Sequence, residues 1–194
     1  MKAAVFLDRD GVINEYVKPV NHPEDLILFP WTPAAIRRLN EEGYPVFIVT
    51  NQGGLELGYF TVQQLEAVHS RLQYLLEAEE AHIDEIIYCP HFRTACSCRK
   101  PKPGMLLYLA AKYGVDLAAS WMIGDRRADI LAGQAAGCQT IKIDRPDGSI
   151  LDYVTADYHC PNLLQAVNYL LGSPPRQHGR ALTSAASLIR KDRS

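Results

Sequence analysis

No run of apolar residues in this 194-residue chain approaches the roughly 20 positions that a membrane-spanning helix needs. There is no excess of basic charge either. The formal net charge is −2, which argues against a nucleic-acid or anionic-membrane partner. No basic segment followed by an apolar core precedes the first β-forming stretch, so no secretion signal is expected. The cysteines number five, an odd count, and three of them fall in one short segment. That pattern argues against a disulfide framework and for reduced thiols in a cytoplasmic setting. No Gly-x-x-x-x-Gly-Lys phosphate loop is present, which sets aside a kinase or nucleotide hydrolase built on one. No internal repeat is visible. The remaining composition is that of a globular domain long enough to bury a core, and a monomer is expected.

Strand-like and helix-like segments alternate along the chain. Lys2–Leu7, Pro45–Val49, Ile83–Tyr88, Ser120–Ile123 and Gln139–Ile143 read as five buried strands. Between and after them, Thr32–Glu42, a segment opened by Thr61, Met105–Tyr113, Ala128–Ala136 and a segment capped by Asn162 read as helices. Thr61 and Gln64 form a capping-box pair, and Pro103 is expected as a first helical residue. The alternation predicts an α/β fold: three layers, Rossmann-like, with a parallel central sheet covered on both faces. One domain is expected over residues 1–172, followed by a tail over 173–194. Arg176, Arg180, Arg190, Lys191 and Arg193 make that tail basic, leaving the rest of the chain near −6. Leu182, Ala185, Ala186 and Ile189 would give it one short apolar face. The tail is expected to be flexible.

Polar residues gather where the strands are expected to end. Asp8 and Asp10 stop the first apolar run, and a glycine follows. If the strand continued through them, their side chains would share a face. Two such carboxylates repel unless a cation lies between them or one is protonated. A Mg²⁺ site, an acid/base pair or both would answer that repulsion, although a strand followed by an acidic turn has the same spelling. Thr50, Asn51 and Gln52 follow the second strand, Arg99 and Lys100 precede a helix, and Asp125 follows the fourth strand with Asp129 four residues on. Taken singly, Thr50 is explained by a strand-end hydroxyl and Lys100 by a solvated cation. In a parallel α/β sheet all of these positions converge on one edge.

Those four groups, in that order, resemble the four motifs of haloacid dehalogenase-type phosphatases. The flanking residues are most similar to the branch holding heptose-1,7-bisphosphate phosphatases and histidinol-phosphate phosphatases. The resemblance implies a capless fold and Asp8 as a nucleophile forming an aspartyl phosphate. It implies Asp10 as general acid and then base, with Asp8, the Asp10 carbonyl and Asp125 holding Mg²⁺. Thr50 would hydrogen-bond the transferring phosphoryl, Lys100 would offset its charge, and Asp129 would support the metal or Lys100 from behind. Asn51, Gln52, Arg99 and Arg126 would bind substrate. The implied reaction is removal of the 7-phosphate of D-glycero-D-manno-heptose 1,7-bisphosphate, with histidinol phosphate or another small phosphosugar as the alternative substrate. A binding protein without catalysis is the competing class, but it would have no need of a nucleophile beside an acid. A nucleic-acid end phosphatase fits poorly with an acidic body lacking a basic, aromatic-lined groove.

A second cluster is Cys89, His91, Cys96 and Cys98, three thiols and an imidazole within ten residues. Tetrahedral Zn²⁺ suits such a set, and four protein ligands would make it structural. Reduced cysteines beside an exposed histidine are the plainer reading. The branch is known for a zinc loop at this place. Glu15, Tyr16, Lys18 and His22 lie in the loop after the first motif, where they could line a leaving-group pocket; for Lys18 and His22 solvent-facing positions are expected. Cys138 reads as a core residue, and Cys160 carries no role. Three positions depart from the branch: Gly53 in place of a hydroxyl, Leu57 in place of an arginine within Gly54-Leu55-Glu56-Leu57-Gly58, and Arg126 in place of a lysine.

Overall fold

The computed structural model describes residues 1–16, 19–144 and 153–172. Among these, six strands form one sheet: β1 (Val5–Leu7), β2 (Val46–Asn51), β3 (Glu85–Cys89), β4 (Trp121–Gly124), β5 (Gln139–Ile143) and β6 (Tyr158–Cys160). Five helices connect or follow them: α1 (Thr32–Glu41), α2 (Val62–Glu77), α3 (Gly104–Tyr113), α4 (Arg127–Ala136) and α5 (Leu163–Gly172). The strand order is β3-β2-β1-β4-β5-β6, and every pairing is parallel.

The strands are apolar on both faces because helices cover both. Val5, Leu7, Ile48, Ile123 and Ile141 pack toward α1, α2 and α5 through Ile36, Leu39, Leu72 and Val167. The alternate residues Phe6, Phe47, Val49 and Met122 pack toward α3 and α4 through Met105, Leu106, Leu109 and Ala132. Phe6 and Phe47 stack across the β1–β2 pair at 5.5 Å. The stripe on α2 follows helical spacing, with Leu65, Val68, Leu72 and Leu76 buried. Its start has the expected reciprocal cap: Gln64 N donates to Thr61 Oγ1 (3.2 Å) and Thr61 N to Gln64 Oε1 (2.8 Å). Gln165 N likewise donates to Asn162 Oδ1 (3.0 Å) at the start of α5.

Several boundaries differ from the sequence reading. Strand β1 begins at Val5, and Lys2 makes only an isolated bridge to Val115. Pro103 precedes α3 instead of opening it, because Gly104 N donates to Ser97 O (3.2 Å) and ties the helix start to the preceding loop. Strand β6 had no sequence signal: Tyr-His-Cys is too short to show a period, and only pairing with β5 defines it.

The topology fixes where chemistry can occur. The chain steps outward from β1 to β3 and then returns to β4 on the other side of β1. This reversal lies between β1 and β4, and ligands in such sheets bind beyond the strand ends at that point. Asp8 follows β1 and Asp125 follows β4. The basic tail over 173–194, with its apolar positions, and Lys18 lie outside the described residues.

Candidate active site

Asp8 leaves the sheet at the reversal point, its N–H still bonded to Ile123 O (3.0 Å). Its carboxylate Oδ1 lies 2.8 Å from Lys100 Nζ, and Asp129 Oδ1 lies 2.6 Å from the same atom. The third acceptor for this ammonium is Val49 O (2.7 Å). Lys100 therefore has three partners for its three N–H groups while only 3% exposed. Asn51 sets its backbone: Nδ2 donates to Lys100 O, and Lys100 N donates to Asn51 Oδ1, both at 3.0 Å. Both ends of the Asn51 amide thus hold Lys100, and Asn51 also lines the space over Asp8. Asp129 is placed by α4, whose first turn lets Arg126 N donate to Asp129 Oδ2 (2.9 Å).

Asp8, Asp125 and Asp129 form a buried trio whose oxygens lie within 4.8 Å of one another. One ammonium among three carboxylates leaves a negative site. Burial, then the Asp129 charge, pushes the Asp8 carboxyl up to about 6 against the pull of Lys100. Burial also raises Asp129, while Lys100 pulls it down. For Lys100 burial acts downward, but Asp129 and Asp8 overcome it and hold the ammonium above its ordinary range. A hard divalent cation is the complement such a set calls for. The turn after Asp10 makes room beside it. Gly11 has φ +86°, and a Cβ there would run into the Asp125 carboxylate.

The strand ends at Leu7, so Asp10 does not share a strand face with Asp8. Its carboxylate turns to Arg9, accepting from Nε (3.0 Å) and Nη2 (2.9 Å). Asn14 Nδ2 (3.1 Å) and Gln52 Nε2 (3.3 Å) donate to it as well. Gln52 also donates to Thr50 Oγ1 (2.9 Å), which leaves the Thr50 proton for another acceptor. Arg9 is 1% exposed and meets His69 Nε2 at 3.3 Å. Burial and the neighbouring guanidinium hold the His69 ring down to about 4, so it is neutral near pH 7. Neither residue was assigned a role from sequence. His69 does sit on the apolar stripe of α2, a visible sign of burial.

Two cavities open over this edge. One, of about 300 Å³, is lined by Asp8, Asp10, Thr50, Lys100, Arg126 and Asp129. The other, of about 420 Å³, is lined by Gln52, Gly53, Leu57, Phe60, Phe92 and Arg99 among others. Asp10, Tyr16 and Asn51 border both. His22 caps the 3₁₀ turn Pro23–Asp25 and Glu15 pairs with Ile27, so neither enters these walls. Arg99 Nη1 donates to His91 O (2.7 Å), and its guanidinium lies over the Phe92 ring at 5.2 Å. A Cβ at position 53 would approach Arg99 Nη1 to 2.9 Å and His91 O to 3.1 Å. The missing hydroxyl at Gly53 is therefore matched to the seat of Arg99. Arg126 lines the first cavity with its Nε 3.7 Å from Asp125 Oδ2.

Cys89, His91, Cys96 and Cys98 converge beside the second cavity. Cys89 Sγ lies 3.2 Å from Cys98 Sγ, 3.7 Å from Cys96 Sγ and 3.5 Å from His91 Nδ1. His91 Nδ1 is 3.4 Å from Cys98 Sγ. A tetrahedron with bonds of about 2.3 Å to sulfur has edges of roughly 3.8 Å, so the four atoms suit a zinc ion. Cys138 is buried in the core as expected, and Cys160 is buried as well.

Comparison with known proteins agrees with this geometry. Residues 97–162 match the model of the HAD-hydrolase-like family. The chain is 40% identical over 152 residues to the D-glycero-beta-D-manno-heptose-1,7-bisphosphate 7-phosphatase of Pseudomonas aeruginosa, covering 76% of this chain and 84% of that one. It is 42% identical over 154 residues to the enzyme of the same name from Rhodopseudomonas palustris, covering 75% and 86%. The crystal structure of D,D-heptose 1,7-bisphosphate phosphatase from B. bronchiseptica, complexed with magnesium and phosphate, superposes with a TM-score of 0.81 at 34% identity, over 88% of this chain and 98% of that one.

Proposed function

The chain belongs to the haloacid dehalogenase-like phosphatases, in the family of the heptose-1,7-bisphosphate 7-phosphatases, and from that premise we infer that it hydrolyses the 7-phosphate of a heptose 1,7-bisphosphate with Asp8 as nucleophile. One observation carries this reading. The cavity at Asp8 and the one bearing Arg99 share Asp10, Tyr16 and Asn51 as walls. A sugar with a phosphate at each end spans such a pair. The second phosphate would meet the planar fork of Arg99, which suits an anion.

In the first step an Asp8 carboxylate oxygen attacks phosphorus, and the bond from phosphorus to the sugar oxygen breaks. Asp10 gives that oxygen its proton, so the sugar leaves as an alcohol and Asp8 carries the phosphoryl. In the second step Asp10, now a carboxylate, takes a proton from water as the water oxygen attacks phosphorus. The acyl-phosphate bond breaks, inorganic phosphate departs and Asp8 is restored. Arg9 and Gln52 hold Asp10 on the wall the two cavities share, where the leaving oxygen must pass. Thr50 donates to a phosphoryl oxygen, and Lys100 keeps Asp8 ionised and aimed. Asp8, the Asp10 carbonyl and Asp125 would hold Mg²⁺, which when bound offsets the charge of the phosphoryl group and its attacker. Cys89, His91, Cys96 and Cys98 would hold Zn²⁺ as a fixed cross-link for the loop that leads into Arg99 and Lys100.

The test is phosphate release with Mg²⁺ from the wild type and from Asp8→Asn. The variant should fold and lose at least about a thousandfold in kcat, as removal of a nucleophile does. Turnover that survives the substitution would remove Asp8 from the mechanism. Activity on histidinol phosphate in place of the heptose would redirect the substrate reading to the sister group.

A further inference from the structure

Glu56 lies in the segment Gly54-Leu55-Glu56-Leu57-Gly58, has no role in the sequence reading and lines neither cavity. Its carboxylate nevertheless gathers the tip of the Cys/His loop. Arg93 N donates to Oε2 (2.8 Å) and Thr94 N to Oε1 (3.0 Å). Phe92 N and the Thr94 hydroxyl donate to the same carboxylate. Glu56 N donates in turn to Pro90 O (3.3 Å). Three successive backbone N–H groups facing one anion form a nest. The Thr94 hydroxyl, followed by the Phe92 N–H, draws the Glu56 carboxyl down to about 2, so it is ionised throughout the working range.

The loop so held supplies two walls of the second cavity. Phe92 borders it directly, and His91 O and the Phe92 ring together seat Arg99. Only four residues separate His91 from Cys96. An anchor comes from the β2–α2 segment, which lies directly against the loop. We propose that Glu56 is a positioning residue for recognition of the distal end of the substrate: it fixes the Cys/His loop against the β2–α2 segment and so sets where Phe92 and Arg99 stand. It touches neither substrate nor reacting atoms. This assignment rests on the reading that the second cavity receives the distal phosphate.

The experiment compares Glu56→Ala and Glu56→Gln with the wild type on two substrates, a heptose bisphosphate and acetyl phosphate, which has no distal group. In Glu56→Ala the KM for the bisphosphate should rise about tenfold, the loss of roughly one charge-assisted contact set, with kcat within about twofold. Kinetics on acetyl phosphate should stay within about twofold. Glu56→Gln, which keeps one acceptor oxygen, should fall between, and Thr94→Ala should shift the same parameter in the same direction. Release of zinc from the loaded protein to a chromophoric chelator should be faster in Glu56→Ala. An unchanged KM for the bisphosphate, or equal losses on both substrates, overturns the proposal. If the wild type does not hydrolyse the bisphosphate, the substrate reading fails, and an unchanged zinc release rate would then overturn the loop-anchoring role separately.

Discussion

At the scale of single residues, the site is organised by two buried cations. Lys100 joins Asp8 to Asp129, and Arg9 joins Asp10 to His69. Removing one partner of a buried pair costs about 3–5 kcal/mol because the remaining charge keeps its desolvation penalty. In Asp129→Asn, Lys100 keeps Asp8 as its ion-pair partner and repulsion between the carboxylates falls, so unfolding free energy should drop by less than that amount while kcat falls with the lost aim of Lys100; chemical denaturation and steady-state rates check both. His69 gives a pH signature. Its pKa in the folded protein is about 4 against an ordinary value near 6.5. The unfolded chain takes up the proton first, so the stability contributed by neutral His69 is full above about pH 6.5 and is lost as pH falls toward 4. The stability advantage of wild type over His69→Gln should shrink across that window. A constant difference between pH 7 and pH 4.5 would show that His69 takes up its proton in the fold as readily as in the unfolded chain.

At the scale of elements, the parallel sheet was legible because its strands are short apolar runs separated by helices with recognisable caps. The site's location followed from the same pattern, since Asp8 and Asp125 directly follow strands and Thr50 is the last residue but one of β2. What the sequence could not show was side-chain commitment. Asn51 reads from sequence as a substrate ligand; its grip on the backbone of Lys100 becomes visible only with the β2–β3 register, which sets Asn51 beside Cys89. Arg9 lies inside a motif, yet its bidentate hold on Asp10 depends on the chain leaving β1 before Asp8. Glu56 gave no signal, because its partners are backbone N–H groups 36 to 38 positions away. Gly53 acquires meaning only through the loop opposite. Gly53→Ala should fold, displace Arg99 and raise the KM for a bisphosphate about threefold to tenfold with kcat retained; a change in kcat alone would contradict this placement.

At the scale of the whole molecule, strand order does the gathering. The reversal between β1 and β4 brings three buried carboxylates together with one ammonium, an arrangement that burial alone disfavours. Divalent-cation binding should therefore stabilise the folded protein. At Mg²⁺ about a hundredfold above its Kd the gain is about 2.7 kcal/mol, which should raise Tm by several degrees, and Asp125→Asn should abolish that rise. No described helix is long and apolar enough to cross a membrane. The central claim is that Asp8 opens a phosphoryl transfer from a sugar carrying two phosphates. Its most direct test is to follow phosphate release from D-glycero-D-manno-heptose 1,7-bisphosphate with Mg²⁺ and identify which phosphate remains. The expected result is loss of the 7-phosphate by the wild type, retention of the 1-phosphate, and no release by Asp8→Asn. Release of the 1-phosphate, or equal release by the folded variant, would contradict the account.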